Sequence, residues 1–482
     1  MGSDLKNRTA KGISWGFIDN LCNTGIMAVV NIILANILSP EQFGVVAMSS
    51  IFITLANSLV DSGFAGALTR KKECTPSDCS TVFIFNLAVS ILLYLLLYFL
   101  APVISRYFDE PILIDIIRIL SLTLVINALS IVQRVLLIRK IDFKTQAIIS
   151  LVSSFLSGGA ALYLALKGYG VWALVVLQIL RQGINTFLLW VTSKWFPSLL
   201  FSTRSFKEMF SFGSRLLVTS LISVIWNEIY AFIIGKSYSA SVLGQYSRAE
   251  KFKSMVTSNI SIVIQRVSYP VLSSLADDPT RELRAYKRVL RTTVLISFTA
   301  VLGLCAASES IVLTLVGEQW IESIKYLRIL CFSGLFIPIQ MISANVINAL
   351  GRSDITLRLE IIKTVLAIIP VLLGIFINVE ALLYGMIFIS VISFVFHSYY
   401  VYKVLNYNIV DQIKDIFPFF ALSLLMSAVV FAVSFLDLPH LGALVLELFT
   451  GGAVTIVNYT LLYKSEEFDD ICNQIFKILR IK

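Results

Sequence analysis

The sequence is poor in charge and poorer still in histidine. Only 14% of its 482 residues are charged and only two are histidines, whereas a soluble domain carries about 25% charged residues. His397 lies inside the apolar run SFVFHSYY and His440 in a short turn. Neither has a Ser, Cys or carboxylate partner at a recognisable spacing, so histidine-based catalysis is not expected. No P-loop, no G-x-G-x-x-G after a strand and no H-E-x-x-H is present. With no ATP site, any pumping must draw on a gradient or on the supply of substrate. Cysteines number six, Cys22, Cys74, Cys79, Cys305, Cys331 and Cys472. Cys74 and Cys79 share a basic loop but lack the paired partners or nearby histidines of a zinc site. The expectation is therefore no disulfide, no metal cluster and no cofactor. The N-terminus MGSDLKNRTAKG is polar and leads on without an A-x-A-like site, so no cleavable signal peptide is expected.

Apolar length is what the chain has in abundance. Hydrophobic residues make up 57% of it and the mean hydropathy is +0.84. Runs of about 20 apolar residues mark membrane spans. Fourteen are expected, at about 12–37, 44–68, 79–102, 112–136, 145–166, 170–192, 212–235, 245–272, 289–308, 327–350, 358–377, 380–404, 416–436 and 440–463. This predicts an all-α integral membrane protein with no large extramembrane domain. The longest connections are near 190–211, 273–288 and 309–326, the last read as an amphipathic surface helix.

The net charge is +9, but the basic residues are spread along the loops, which argues for topology signals and against nucleic acid. With the N-terminus in the cytoplasm, 26 of the 39 Lys and Arg fall on the cytoplasmic side. Nine fall outside, and Arg134, Arg181, Arg215 and Arg266 lie within or near span ends. That bias places both termini in the cytoplasm. Four of the nine outer charges, Lys236, Arg248, Lys251 and Lys253, flank one turn. An anionic substrate leaving by that mouth would explain them; ordinary headgroup contacts are the competing reading.

Between Gln245 and Tyr269 one helix face is polar along its length. Ser247, Lys251, Ser254, Ser258, Ser261, Gln265 and Ser268 follow at steps of four and three, the spacing of one α-helical face. Small hydroxyls alone would serve helix–helix packing. Lys251, Gln265 and Arg266 are too long for that and point to a water-filled path. Ser50, Thr54, Asn57 and Asp61 repeat the stepping. A shift of 200 lays Thr54 on Ser254, Asn57 on Thr257 and Asp61 on Ser261, and the turn from Ile37 to Gly44 on that from Ser237 to Gly244. A second marker, Val171-Trp-Ala-Leu174 on Val379-Glu-Ala-Leu382, has an offset of 208. Internal repeats place the substrate path between two halves. The expected division is 1–200 for spans one to six, 201–410 for spans seven to twelve, and 411–482 for two added spans and a tail.

Charges at membrane depth cost about 2.5–3.5 kcal/mol to insert, so they mark candidate sites. Asp19, Asp61, Arg134, Arg181, Arg215, Glu228 and Arg266 qualify. Arg134 continues a face with Thr123, Asn127 and Ser130. For each charge a structural ion pair is the competing reading, but the mixture suits a bulky polar anion better than a small cation.

The run ILANILSPEQFGVVAMSSIFITLANSLVDSGFAGALTRKK, the tyrosine-rich third span and YFDEP resemble the Wzx-type polysaccharide transporters. These belong to the multidrug/oligosaccharidyl-lipid/polysaccharide (MOP) superfamily. QRVLLIRKIDFK, KGYGVWALVV, KWFPSLLFS, FSFGSRLL and VLGQYSRAEKF extend the resemblance over about residues 10–260, with the rest looser. It implies two pseudo-symmetric six-helix lobes around a central cavity, with two extra C-terminal helices. It also implies an inner-membrane flippase for oligosaccharides on undecaprenyl pyrophosphate, serving O-antigen, capsule or exopolysaccharide. Membrane lipids, a polysaccharide polymerase and other assembly proteins are the implied partners, and a monomer the implied state. For such a cargo, Arg215 and Arg266 make a plausible inner loading site, because guanidinium donors match phosphate geometry. Arg248 and Lys251 form a second site further out, Arg134 and Gln265 add contacts, and Asp19, Asp61 and Glu228 balance the charge. Two alternatives stay open. One is a cation-coupled multidrug exporter of the same superfamily, which would want an apolar, acidic pocket. The other is a membrane glycan polymerase, which would want long outer loops with catalytic acids, His or Arg.

The charge bias makes a direct prediction. A thiol reagent applied from outside intact cells labels a cysteine placed at Asn378 and leaves those placed at Ser77 or Ser465 unlabelled. Labelling at position 77 would overturn the orientation.

Overall fold

The computed structural model describes Trp15 and residues 22–61, 63–71, 74–198, 200–275 and 278–480. Among the described residues every regular element is helical. In chain order these are α1 (Cys22–Ile37), α2 (Pro40–Asp61), α3 (Phe64–Arg70), α4 (Pro76–Phe108), α5 (Leu113–Leu120), α6 (Leu122–Arg139), α7 (Phe143–Leu166), α8 (Val171–Ser193), α9 (Thr203–Ser237) and α10 (Ala240–Leu275). There follow α11 (Pro279–Ala306), α12 (Ser308–Leu315), α13 (Ile321–Gly334), α14 (Ile337–Ala349), α15 (Ser353–Leu366), α16 (Ile368–Phe376), α17 (Val379–Leu405), α18 (Ile409–Val433), α19 (His440–Val457) and α20 (Glu466–Arg480).

The described residues contain 11 helical stretches long and apolar enough to cross a bilayer, with α1 as a shorter apolar helix. The protein is a multi-pass membrane protein. Helices α9 and α10, of 35 and 36 residues, have the length of a span. The remaining expected spans fall on α1, α9 and α10. Helix ends run past the apolar cores that hydropathy sees. α11 starts at Pro279 on an Asp278 cap whose side chain accepts from Thr280 and Arg281 amides, ten residues before the apolar run at 289. Asp, Asn and Ser side chains cap α7, α9, α17 and α18 in the same way, satisfying amides that have no partner in the first turn.

The connection at 309–326 is a correction. It is not an amphipathic surface helix. α12, a single 3-10 turn at Glu318–Trp320 and the start of α13 carry the chain through it, and Trp320 is fully buried. Ser308, Ser310 and Ser323 are buried as well, whereas Glu309, Glu318, Glu322 and Lys325 are exposed. Ser323 donates to the Trp320 carbonyl at 2.6 Å and Ser310 to Glu447 at 2.8 Å.

By contacts the chain divides into two compact units, at Gly244/Gln245 within α10. In the first, α7 packs along α8, α6 against α8 and α4, and α2 against α9. Its core gathers Phe64, Leu68, Val82, Phe83, Val132 and Met209, with Trp190, Trp195 and Phe206 around them. In the second, α11 packs against α18, and α17 against α13, α14 and α16. A charge cluster ties its tail. Asp415 of α18 accepts from Arg291 at 2.7 Å, and Arg291 also reaches Glu467 of α20 at 3.6 Å.

One contact needs glycine on both sides. A Cβ on Gly44 would sit 1.7 Å from the carbonyl oxygen of Ala240, and one on Gly244 would sit 1.9 Å from that of Pro40. Each helix start thus lies against the other's first turn, and the contact is reciprocal at an offset of 200. Gly44→Ala and Gly244→Ala should each overpack this crossing and cost about 1–3 kcal/mol or more. Gly159→Ala, where a Cβ meets nothing within 4 Å, should be neutral or slightly stabilising, since alanine favours a helix over glycine. Thermal unfolding of the purified variants checks the contrast. Equal stability of all three would remove the close approach.

Candidate functional site

The first unit contains a cavity of about 700 Å³. Its wall mixes apolar residues such as Phe43, Val46, Ile53 and Leu177 with polar ones from five helices. α2 supplies Ser50, Thr54 and Asn57; α6 supplies Thr123 and Arg134; α7 supplies Gln146, Ser150 and Ser153; α8 supplies Gln178, Arg181, Gln182 and Asn185; α1 supplies Asn31. Two arginines and no carboxylate line it among the described residues. Three of the four stepping residues of α2 therefore face one space. The fourth, Asp61, is exposed and within electrostatic reach of Arg134.

Amide side chains link the helices. Asn127 of α6 donates to Asn57 Oδ1 of α2 at 3.2 Å, and Gln182 of α8 donates to Asn127 Oδ1 at 3.2 Å. Arg181 Nη2 donates to Asn23 Oδ1 at 3.2 Å, and Ser154 of α7 donates to the same oxygen at 2.6 Å. Several small hydroxyls instead return to their own helix. Ser153 donates to Ile149 O, Thr123 to Leu120 O and Ser130 to Asn127 O. Such groups are satisfied without water. The long amides and guanidiniums hold the remaining donors and acceptors toward the cavity.

The sequence flagged Arg134, Arg181, Asn57 and Thr123, and the structure brings these together. Gln146, Ser150, Gln178, Gln182 and Asn185 went unflagged. A signal existed, because Gln178, Arg181 and Asn185 step by three and four, as do Gln146, Ser150 and Ser153.

The polar face of α10 is distributed differently. Lys251, Ser258 and Gln265 are exposed, Ser247 and Ser254 half-buried, and Ser261 and Ser268 buried. Ser268 accepts from Asn345 Nδ2 at 2.9 Å, so part of the stripe serves packing inside the second unit. Arg266 is exposed. Arg248 is buried, with its guanidinium carbon 4.6 Å from the Trp320 ring centroid. Lys253 is buried against Glu250 at 2.8 Å. Lys236 lies 3.7 Å from Asp109 and over the Tyr107 ring at 4.6 Å. Lys251 is thus the member of the outer basic cluster that presents its charge to the surface most openly. Glu228 is half-buried on α9. Arg215 lies on the same helix with its side chain outside the described residues, and Asp19 lies outside them altogether.

A sequence relationship fits this wall of sugar-like hydrogen-bonding groups. Residues 33–325 match the polysaccharide biosynthesis protein family. The chain belongs to that family. TuaB, a teichuronic acid biosynthesis protein of Bacillus subtilis (strain 168), is 26% identical over 438 residues, 89% of this chain and 90% of its own. WzxC, a lipopolysaccharide biosynthesis protein of Escherichia coli (strain K12), is 26% identical over 377 residues, 77% of this chain and 76% of its own. Among solved structures, the lipid II flippase MurJ in an inward closed conformation superposes with a TM-score of 0.77 at 15% identity. That match covers 93% of this chain and 98% of MurJ, and it is a match of fold. The Wzx-type resemblance read from the motifs agrees with the family and with WzxC.

Proposed function

We propose that this family member is a flippase that moves an oligosaccharide linked to undecaprenyl pyrophosphate across the bacterial inner membrane by alternating access. Its product serves O-antigen, capsule or exopolysaccharide assembly. The observation that carries the reading is the membrane-embedded cavity walled by amides, hydroxyls and two guanidiniums. Amide side chains both donate and accept, as sugar hydroxyls do. Arg134 and Arg181 add charge suited to an anionic group. A pocket for a cationic drug would place carboxylates there. TuaB and WzxC carry polysaccharide biosynthesis names, and the flippase name of MurJ supports transport of a lipid-linked glycan over synthesis of one.

In this reading α1, α9 and α10 complete fourteen spans, with both termini in the cytoplasm. Spans one to six and seven to twelve form the two related halves. Arg215 and Arg266 meet the carrier pyrophosphate, and Lys251, about 22 Å further along α10 at 1.5 Å per residue, receives it on the far side. Arg134 and the amides of α2, α6 and α8 hold the sugars. Arg248, packed on Trp320, positions α10 and does not itself carry cargo. Asp61, within electrostatic reach of Arg134, offsets its charge when no anion is bound.

Export of surface glycan in a strain lacking its own flippase tests the division of roles. Arg134→Ala and Arg266→Ala should each lower surface glycan about tenfold at unchanged membrane abundance, the loss of about 1.4 kcal/mol from a charge-assisted contact. The corresponding lysine variants should retain part of it. Arg248→Ala should lower abundance itself, since a desolvated cation–π contact contributes about 2 kcal/mol. Full surface glycan from Arg134→Ala and Arg266→Ala at matched abundance would defeat this assignment.

A further inference from the structure

The junction between α3 and α4 carries a feature that transport does not use. α4 begins with a capping box. Thr75 Oγ1 accepts from the Asp78 amide at 3.2 Å, and an Asp78 carboxylate oxygen accepts from the Thr75 amide at 3.0 Å. In that frame Thr75 is the N-cap, Cys74 precedes it, and Cys79 is the fourth helical residue. Those two positions are the ones that pack together in a hydrophobic staple. Here both are cysteines, and their sulfurs lie 3.1 Å apart as free thiols. The rest of the junction is well anchored. Lys71 Nζ bonds Asp78 at 3.0 Å and Glu208 of α9 at 3.3 Å. Arg139 of α6 donates to the carbonyls of Leu68 and Thr69 at 2.9 and 3.2 Å, and to that of Lys71.

The two sulfurs differ in access. Cys74 is half-buried and Cys79 is buried. A hydrogen bond from Cys79, with Arg139 and Lys71 nearby, holds the Cys74 thiol down to about 7 against burial and the Asp78 carboxylate, and the same hydrogen bond and burial push the Cys79 thiol up. A thiolate is the nucleophilic form of cysteine, and a basic neighbourhood with partial exposure is where reactive thiols occur.

We propose that Cys74 and Cys79 are a redox-active dithiol in which Cys74 reacts with peroxide and Cys79 resolves the product into a disulfide. The Cys74 thiolate attacks one peroxide oxygen. The O–O bond breaks, the departing hydroxide takes a proton and leaves as water, and Cys74 becomes a sulfenic acid. Cys79 then loses its proton and its sulfur attacks the Cys74 sulfur. The S–O bond breaks, a second water leaves, and the S–S bond remains. The two thiols supply the two electrons that reduce the peroxide. The same bond closes the staple covalently and fixes the loop to the helix start that Lys71 already ties to α9.

This site stands apart from glycan transport and is tested on the purified full-length protein without cargo. Trypsin leaves both cysteines on one peptide, Glu73–Arg106. After hydrogen peroxide, denaturation, alkylation with N-ethylmaleimide and digestion, that peptide should carry no alkyl group and be lighter by two hydrogens. Cys305, Cys331 and Cys472 should remain alkylated. In Cys79→Ser, Cys74 should stop at the sulfenic acid and take up dimedone, and in the unsubstituted protein the rate at which peroxide consumes the Cys74 thiol should rise through a midpoint at pH about 7. In Cys74→Ser, Cys79 should not take up dimedone. The proposal is overturned if Glu73–Arg106 keeps two alkyl groups while Cys472 is oxidised. It is equally overturned if Cys79 is the residue that traps dimedone, or if the Cys74 rate rises only near pH 8.5, the ordinary thiol range.

Discussion

A polar side chain at bilayer depth must bond to protein or face water, because the hydrocarbon offers it nothing. That constraint sorts the polar residues of this chain into two classes. Short hydroxyls such as Ser49, Thr123 and Ser153 bond to carbonyls three or four residues back on their own helix. They let helices approach and need no water. Longer side chains such as Asn57, Arg134, Gln178 and Arg181 cannot do this and converge on one cavity in the first unit. In a membrane protein with only 14% charged residues, such a cluster is what the proposed glycan site rests on. The same constraint explains the second unit, where Arg248 and Lys253 are buried only because Trp320 and Glu250 meet them.

The reciprocal glycines give the architecture its other fixed point. The sequences around Gly44 and Gly244 align at an offset of 200, and each glycine admits a carbonyl from the other helix start. Backbone can approach that closely only where no Cβ intervenes. α2 and α10 begin at this crossing, so the polar residues that follow at the same offsets, Thr54 and Asn57 on α2 and Ser254 and Thr257 on α10, start from matched positions. Their surroundings then diverge. Asn57 faces a cavity, whereas Thr257 is buried and bonded to Lys253 O at 3.1 Å. A repeat in sequence fixes register along two helices; the neighbours of each helix decide whether a polar face is wet.

Much of this was legible in the sequence. Apolar runs placed the spans because backbone and lipid leave few alternatives, and stepping polar residues located Asn57, Thr123 and Arg134. Other features were hidden. The stretch 309–326 looked like one surface helix because its serines and acids are polar, yet the chain breaks into two helices around a buried Trp320, with Ser310 bonded to Glu447, Ser323 to the Trp320 carbonyl and Glu309 to Arg328. The basic cluster looked like a single mouth, but Lys236 and Arg248 take sequence-distant partners that no spacing rule names, and Lys253 takes Glu250 three residues earlier on its own helix. The cavity residues of α8 were visible by the same stepping that marked α10; the apolar residues between them hid the pattern. Cys74 and Cys79 lie five apart with no metal-like spacing, and only the staple geometry at a capped helix start makes them neighbours.

The central claim is that this protein moves a lipid-linked glycan without chemical change. Its most direct test is reconstitution into liposomes with a fluorescent oligosaccharide on undecaprenyl pyrophosphate, followed by a membrane-impermeant glycosidase added outside. The account predicts that the protected inner-leaflet fraction is drained as the protein carries glycan outward, while released products show the same lipid-linked glycan unextended. It also predicts no acceleration for a hydrophobic cationic dye. A protected fraction that stays unchanged beside active protein, or dye movement without glycan movement, would contradict it.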